Sequence, residues 1–243
     1  MKVVPQRIFV ANLLTTLVPL LGSSSIAEEI SRPPNVVLIM ADNLGYGDLG
    51  CYGQKRIGTP NLDRMASEGV RFTQFYSGAV ICAPARCTLM TGLHTGHCRI
   101  RGNHRDSDIQ ALKPEDVTIA EVLKQGGYAT AVIGKWGLGD EGNAGIPNLQ
   151  GFDYFFGVDL PNLPPFTFIE NDRVVTQPTE RYKFDPSEGI VLPKGFVGSP
   201  IAPGWRFQEI LPEITRRAVQ HIHDQAKQET PFFLYFSMTS PHE

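Results

Sequence analysis

Three strongly apolar runs are widely spaced along the chain: Val36–Met40, Ala129–Ile133, in which Thr130 is the one polar residue, and Phe232–Phe236. Continuous apolar runs of this length are typical of strands that are buried on both faces of a sheet. Amphipathic stretches lie between them, and strands that alternate with helices form a parallel sheet through right-handed crossovers. The pattern therefore predicts an α/β fold in which a largely parallel sheet is sandwiched by helices.

The stretches between these strands predict helices with recognisable ends. Thr59 stands at an N-cap, Pro60 fits the first turn that follows it, and Gly69 stops this helix. A second helix opens at Lys113–Asp116 and ends at Gly126–Gly127. The other predicted elements are a strand over Val70–Tyr76, a hairpin over Phe166–Val175 that turns at Asn171–Asp172, and a helix over Pro212–Gln228.

Polar or ionisable residues follow each of the three buried strands. Asp42 and Asn43 follow the first strand, Lys135 follows the second, and His242 follows the third. Ligands of parallel sheets bind beyond the carboxyl ends of the strands, which lie along one edge. We therefore expect these four side chains to line an active site on that edge.

Composition narrows the class of protein. The 243 residues carry 22 Lys and Arg against 25 Asp and Glu, a formal net charge of −3. This balance argues against a nucleic-acid binder that works by neutralising phosphates. The composition also excludes collagen-like, coiled-coil and disordered chains, and a chain of this length can bury a core without disulfide or metal.

The first 27 residues have the build of a secretory signal peptide. Lys2 and Arg7 give a positive start, Ile8–Leu21 is a mostly apolar run, and Ser25–Ala27 offers a small-residue cleavage site. An uncleaved N-terminal anchor is the alternative. We predict an exported protein, periplasmic or secreted, with no stable membrane insertion after cleavage and a catalytic portion over residues 33–243.

The stretch from Cys82 to Gly92 carries the most distinctive chemistry. Pro84 suits the first turn of a helix, which puts Cys82 at the positive N-terminal end, where anions bind and thiols are activated. Arg86 lies one turn further on and can bind an oxyanion through two nitrogens. The alternatives are a buried structural cysteine or, for four cysteines in an exported chain, two disulfides.

Residues Cys82–Arg86 match a Cys-x-Pro-Ser/Ala-Arg signature. Three further segments match the same family and follow one another in the family's order. On these four segments, the chain resembles the N-terminal part of a type I sulfatase. This family is arylsulfatase-like, depends on formylglycine and belongs to the alkaline phosphatase superfamily. The similarity covers Pro33 to Glu243. The other matching segments are Pro34–Asp48, Thr59–Asp63 and Gly134–Gly139.

The resemblance implies a mechanism for hydrolysing sulfate esters. A separate maturation enzyme oxidises Cys82 to formylglycine, and one hydroxyl of the hydrated aldehyde attacks the sulfur. Asp42, Asn43 and the oxidised Cys82 bind Ca²⁺, a cation that prefers oxygen ligands. By the same resemblance, Arg86 holds the hydrate, while Lys135 and His242 contact sulfate or protonate the leaving oxygen.

Two positions depart from the family pattern. Asn43 stands where the family usually has a second Asp, so one negative charge at the metal is lost. Gly137 stands where many relatives have a His that acts as a base on the hydrate. In this chain the role of that base is either lost or taken by another group. His94, His97 and His104 are the nearby candidates.

Relatives of this kind continue beyond the point where this sequence ends. Their later part supplies a second pair of metal ligands and a further sulfate-binding Lys, so we expect a truncated chain that binds Ca²⁺ poorly and turns over little sulfate ester. We also expect the strand at Phe232–Phe236 to lie near an unpaired edge of the sheet.

Two other functions stay open at this point, a phosphatase or phosphodiesterase of the same superfamily and a non-catalytic, exported relic that binds sulfated glycans. The substrate class is also open between a sulfated carbohydrate and an aryl sulfate. The loops of Asn148–Pro212 are expected to contribute to that choice.

Overall fold

The fold is described from a computed structural model, which describes residues 32–103, 111–140, 142–161, 163–185 and 194–242. The predicted signal peptide, residues 1–27, and His104 lie outside the described residues. Residues 33–243 form one compact unit.

The core of the unit is a six-stranded sheet with the order β1-β8-β2-β3-β4-β5. Strands β1, β8, β2 and β3 are parallel, and the short β4 and β5 form an antiparallel hairpin at one side. The largely parallel α/β sheet is confirmed. The strands are β1 Val36–Met40, β2 Ala129–Lys135, β3 Tyr154–Val158, β4 Ile169–Glu170, β5 Arg173–Val174, β6 Glu180–Arg181, β7 Pro200–Ile201 and β8 Phe232–Ser237, of which β6 and β7 pair separately.

Helices cover both faces of the sheet. Four of them are described: α1 Pro60–Glu68, α2 Cys82–Thr91, α3 Ile119–Gln125 and α4 Ile210–Gln225. On one face, α2 and α3 pack against aromatic residues that include Trp136 and Phe155. On the other face, Ile214 and Ala218 of α4 pack against Phe156 and its neighbours. Burial of this apolar surface is the main force that holds the layers together.

The helix ends follow local rules. Helix α1 begins at Pro60 and stops before Gly69, as predicted. Helix α3 begins six residues after the predicted Lys113, because the Thr118 hydroxyl accepts a hydrogen bond from the Glu121 amide while the Glu121 carboxylate accepts one from the Thr118 amide. This reciprocal capping box fixes the first turn.

Two strand assignments from the sequence are wrong. Residues Val70–Tyr76 form no strand, and Phe72 and Phe75 are exposed by 62% and 66%. Conversely, β3 was missed within the stretch assigned to loops, although it pairs along its whole length with β2. The predicted hairpin is confirmed, with Asn171 at its turn in the left-handed region at φ 56°.

Strand β8 is not itself an edge strand of the sheet. It sits between β1 and β2 and is buried along its whole length. Among the described strands the sheet ends instead at β1, where Val37 and Ile39 are exposed by 42% and 53%. The expectation that β8 lies near an unpaired edge is confirmed among the described strands, since only β1 separates it from that edge.

Among the described residues, no helix combines the length and the apolar composition needed to cross a bilayer.

The stability of the α4 layer is expected to depend on pH through His221. Its ring stacks on Tyr154 with centroids 5.8 Å apart and meets Phe232 edge-on. Burial lowers the pKa of His221, and the Asp224 carboxylate opposes this shift. Because the folded state binds this proton more weakly than the unfolded state, the contribution is full above about pH 6.5 and is lost as the pH falls.

We expect the urea midpoint of unfolding to fall between pH 7.5 and pH 5, and His221→Phe to flatten this dependence. His223→Phe, at an exposed position on the same helix, is the matched control and should keep the slope of the unsubstituted protein. Equal slopes for the unsubstituted protein and His221→Phe would contradict the assignment.

Candidate active site

The ends of β1 and β8 are tied together at the edge predicted to hold the site. The amide of Met238 donates to the carbonyl of Met40 at 2.9 Å, and the amide of Asp42 donates to the carbonyl of Ser240 at 3.0 Å. These bonds extend the pairing of two parallel strands beyond their regular parts. They bring Asp42 and His242 to the same place although 200 positions separate them in the sequence.

Cys82 is the first residue of helix α2, as the position of Pro84 predicted. The amides of a first helical turn have no partner within the helix and carry a partial positive charge. One of them, on Ala83, is satisfied by the side-chain oxygen of Asn103 at 2.9 Å. The Cys82 thiol is half-buried and faces the strand ends, a position where a negative charge is stabilised.

Lys135 joins this thiol to Asp42. Its Nζ donates to Asp42 Oδ2 at 2.6 Å and to Cys82 Sγ at 3.1 Å. The lysine side chain is fully buried and the aspartate side chain is 5% exposed. A buried ammonium needs such a partner, since burial of an unpaired charge costs several kcal/mol.

Arg86 is also fully buried, one helical turn after Cys82. Its NH1 donates to the Lys135 carbonyl at 3.2 Å, to the Tyr235 hydroxyl at 3.0 Å and to the Ser237 hydroxyl. Its NH2 lies 3.6 Å from Asp42 Oδ1, and neither NH2 nor Nε has a hydrogen-bond partner among the described residues. A buried guanidinium with two unpartnered nitrogens is suited to an anionic ligand.

His242 completes the cluster. Its Nε2 lies 3.9 Å from Cys82 Sγ, and the thiol is also 3.9 Å from Asp42 Oδ1. The ligand atoms of Asp42, Cys82 and His242 all lie within 4.8 Å of one another. Together with Arg86 and Lys135, the cluster holds two buried cations and one buried carboxylate, so it favours an anion.

Asn43 is placed beside this cluster but at the surface. It follows Asp42 with its backbone in the left-handed region at φ 65°, which asparagine tolerates better than most residues. Its side chain is exposed. Its assignment as a metal ligand stays a prediction.

Gly137, which replaces a histidine of many relatives, lies next to Arg86. Its φ is +76°, and a Cβ there would lie 3.2 Å from Leu160 Cδ2 and 3.6 Å from Arg86 Cδ. A side chain at this position would therefore be strained in the present backbone. The rings of His94 and His97 are exposed, with centroids 6.5 Å apart, and the imidazole beside Cys82 belongs to His242.

The four cysteines differ in environment, and all are free thiols. Cys87 and Cys98 are buried in the apolar layer beneath α2. Burial raises the pKa of Cys87 to about 12, so this thiol is unreactive. Cys82 and Cys51 are partly exposed. The alternative of two disulfides is not found.

Tyr235 and Ser237 are residues of this cluster that the sequence analysis missed. Both lie on β8 and hold Arg86 in place. A signal was present, because a tyrosine hydroxyl and a serine alternate on one face of an otherwise apolar strand. Buried hydroxyls of this kind need partners.

We expect Asp42 to be the residue on whose charge the stability of the cluster depends most. Lys135→Met leaves Arg86 beside the carboxylate, whereas Asp42→Asn leaves two buried cations without compensation. Each change should lower the free energy of unfolding by about 3–5 kcal/mol, more for Asp42→Asn, and the double variant should lose less than the sum.

The measurement is urea unfolding of the three variants. Lys124→Met is the matched control, because it breaks a half-exposed pair with Asp153 at 2.5 Å and should cost at most about 1 kcal/mol. A loss for Lys135→Met no larger than that of Lys124→Met would contradict a stabilising role for the buried pair.

Solved sulfatase structures share this fold. A chain from work on glycosaminoglycan metabolism by Bacteroides thetaiotaomicron superposes with a TM-score of 0.69 at 29% identity, covering 87% of this chain and 52% of that one. A Pseudoalteromonas sulfatase gives a TM-score of 0.65 at 27% identity, covering 88% of this chain and 45% of that one.

The sequence relatives are also sulfatases. Human arylsulfatase A is 37% identical over 238 residues, covering 88% of this chain and 42% of its own length. An N-acetylgalactosamine-6-O-sulfatase of Bacteroides thetaiotaomicron is 34% identical, covering 87% of this chain and 49% of its own. The chain thus spans about half or less of the length of these relatives. The Sulfatase family model matches residues 34–243, and the chain belongs to the sulfatase family.

Proposed function

We propose that this protein hydrolyses sulfate esters with a nucleophile derived from Cys82. The observation that carries the proposal is the buried, positively charged cluster at the N-terminal end of α2, where Cys82 meets Lys135 and Arg86. In the net reaction, water cleaves the bond between sulfur and the ester oxygen. The alcohol and inorganic sulfate are released, together with a proton.

Oxidation of Cys82 to formylglycine by a maturation enzyme, followed by addition of water to the aldehyde, supplies the nucleophilic hydroxyl that a thiol lacks. The surroundings of Cys82 suit such a group. Lys135 Nζ, 3.1 Å from Sγ, is in place to hold an oxygen there by hydrogen bonding. The two unpartnered nitrogens of Arg86 are available to orient it or to bind a sulfate oxygen.

The remaining residues have two tasks: some stabilise negative charge on the sulfate group, and one transfers a proton to the leaving group. Lys135 and Arg86 stabilise negative charge as it develops on the sulfate oxygens. His242, with Nε2 3.9 Å from Cys82 Sγ, is the group that delivers a proton to the leaving oxygen. Gly137 offers no imidazole to act as a base on the hydrate, so His242 is the imidazole that lies beside position 82.

The donor chemistry of Asp42 and Asn43 fits part of a calcium site. Ca²⁺ takes about six to eight oxygen ligands, of which the carboxylate and the neighbouring amide supply only some. When bound, Ca²⁺ supplies positive charge that polarises the sulfate group. The ammonium of Lys135, 2.6 Å from Asp42 Oδ2, competes for the same carboxylate, which supports weak calcium binding by these residues.

We propose sulfated carbohydrates as the substrate class in preference to aryl sulfates. Two comparisons support this choice. One relative is an N-acetylgalactosamine-6-O-sulfatase, and one matching structure comes from work on glycosaminoglycan metabolism. Export with residues 1–27 as a signal peptide, and residues 33–243 as the N-terminal portion of a catalytic domain, belong to the same proposal.

The test is peptide mass spectrometry of the protein purified from its natural host. We expect an aldehyde at position 82, reactive with a hydrazide probe, and an unmodified thiol at Cys51, which is also partly exposed. An unmodified thiol at position 82 would contradict the proposal in favour of a phosphatase or a non-catalytic binder.

Paired variants connect the modification to the reaction. Cys82→Ser should lower hydrolysis of a sulfated sugar by about 10⁴-fold or more, because the nucleophile is removed. Cys51→Ser should leave the rate unchanged. Hydrolysis that survives Cys82→Ser would place the nucleophile elsewhere.

A further inference from the structure

The first turn of α2, which carries Cys82, is not capped by the residue that precedes it. That residue is Ile81, whose side chain has no polar atom. Serine, threonine, asparagine and aspartate are preferred there, because their side-chain oxygens accept hydrogen bonds from the free amides of the first turn. The turn that holds position 82 therefore needs a cap from another part of the chain.

Asn103 supplies this cap. Within the turn, Pro84 has no N–H to satisfy, and the amide of Ala85 donates to the carbonyl of Ile81 at 3.1 Å. The amide of Ala83 donates to the side-chain oxygen of Asn103 at 2.9 Å. Asn103 comes 20 positions later in the sequence, so the cap of α2 is provided by a separate segment.

The segment that carries Asn103 is anchored by contacts of its own. Cys98 and Ile100 are buried in the apolar layer beneath α2. Arg101 closes the turn between them and Asn103, since its NH2 donates to the carbonyl of Gly96 at 2.7 Å and its Nε to the carbonyl of Cys98 at 3.2 Å. These contacts do not use the side chain of Asn103, so a substitution there leaves the anchor in place.

The hydrogen bond from Ala83 acts directly on the geometry of position 82. The amide of Ala83 belongs to the planar peptide group that joins it to Cys82, so holding this amide fixes the direction in which the Cys82 side chain leaves the helix. Cys82 Sγ lies 3.1 Å from Lys135 Nζ and 3.9 Å from His242 Nε2. A small rotation of the turn would change both distances, and a misplacement of about 1 Å at a reacting group can slow a reaction by about 10²-fold.

We propose that Asn103 is a positioning residue, which fixes the first turn of α2 so that the nucleophile derived from Cys82 faces Lys135 and His242. Its amide is neutral, so it caps the helix without adding negative charge beside a cluster that favours an anion. An aspartate would accept the same hydrogen bond but would bring that charge. The inference rests on the proposed function for the reaction, and adds a residue that acts through the helix.

The experiment compares three variants with the unsubstituted protein in the hydrolysis of N-acetylgalactosamine 6-sulfate. Asn103→Leu removes the acceptor oxygen at nearly constant volume and should lower kcat by about 10- to 100-fold. Asn103→Asp keeps an acceptor, so kcat should stay within about threefold of the unsubstituted value, while its charge should raise KM by about threefold. Thr118→Val is the matched control, because it removes the side-chain cap of α3, a helix that carries no residue of the cluster, and should leave kcat unchanged.

Loss of a cap lowers stability in both helices, so the urea midpoint should fall for Asn103→Leu and for Thr118→Val, whereas kcat should fall only for Asn103→Leu. Equal kcat values for these two variants would overturn the proposal, and so would an Asn103→Asp variant as slow as Asn103→Leu. Hydrogen exchange at the Ala83 amide of the unsubstituted protein checks the bond itself, whether or not the variants fold. This amide should exchange slowly, and an unprotected amide would overturn the proposal.

A separate measurement distinguishes this proposal from the proposed function. If the unsubstituted protein hydrolyses no sulfated sugar, the proposed function loses support, and alkylation of the unconverted Cys82 thiol by iodoacetamide decides the role of Asn103. The thiolate is the form that reacts, and the helix end and Lys135 stabilise it. Alkylation should be about fivefold slower in Asn103→Leu and unchanged in Thr118→Val, with Cys51 as the internal reference. An equal or faster rate at Cys82 in Asn103→Leu would overturn the positioning role.

Discussion

The buried carboxylate of Asp42 is the interaction on which the rest of the site depends. It lies between the ammonium of Lys135 and the guanidinium of Arg86, both fully buried. Neither cation could be held beneath the surface without it, because an isolated buried charge costs more than the fold can offset. One carboxylate for two cations still leaves an excess of positive charge, which suits the binding of an anion.

The parallel strands of the sheet fix the positions of these charged side chains. Lys135 ends β2, Asp42 follows β1, and β8 lies between them and contributes the hydroxyls that hold Arg86. Because the strands are parallel, their carboxyl ends meet at one edge, and α2 brings the N-terminal end of a helix to the same edge. Side chains fixed by strands and buried hydrogen bonds need little rearrangement when a ligand arrives.

Local signals in the sequence were sufficient for much of this architecture. The three strongly apolar runs marked β1, β2 and β8, and Pro84 placed Cys82 at the start of α2. Segments whose state depends on distant partners were not predictable in this way. Val70–Tyr76 alternates like a strand but pairs with no described strand, while β3 is short and gains its stability from pairing with β2.

The sequence by itself determined which residues are candidates for the chemistry. Asp42, Cys82, Arg86, Lys135 and His242 were all found from strand ends, a helix start and a family signature, since each depends on a short local pattern. Only the tertiary structure decided how Arg86 is held, because its partner Ser237 is 151 positions away. It also decided the place of β8 between β1 and β2. These features arise from packing between distant segments, which no local pattern of polar and apolar residues encodes.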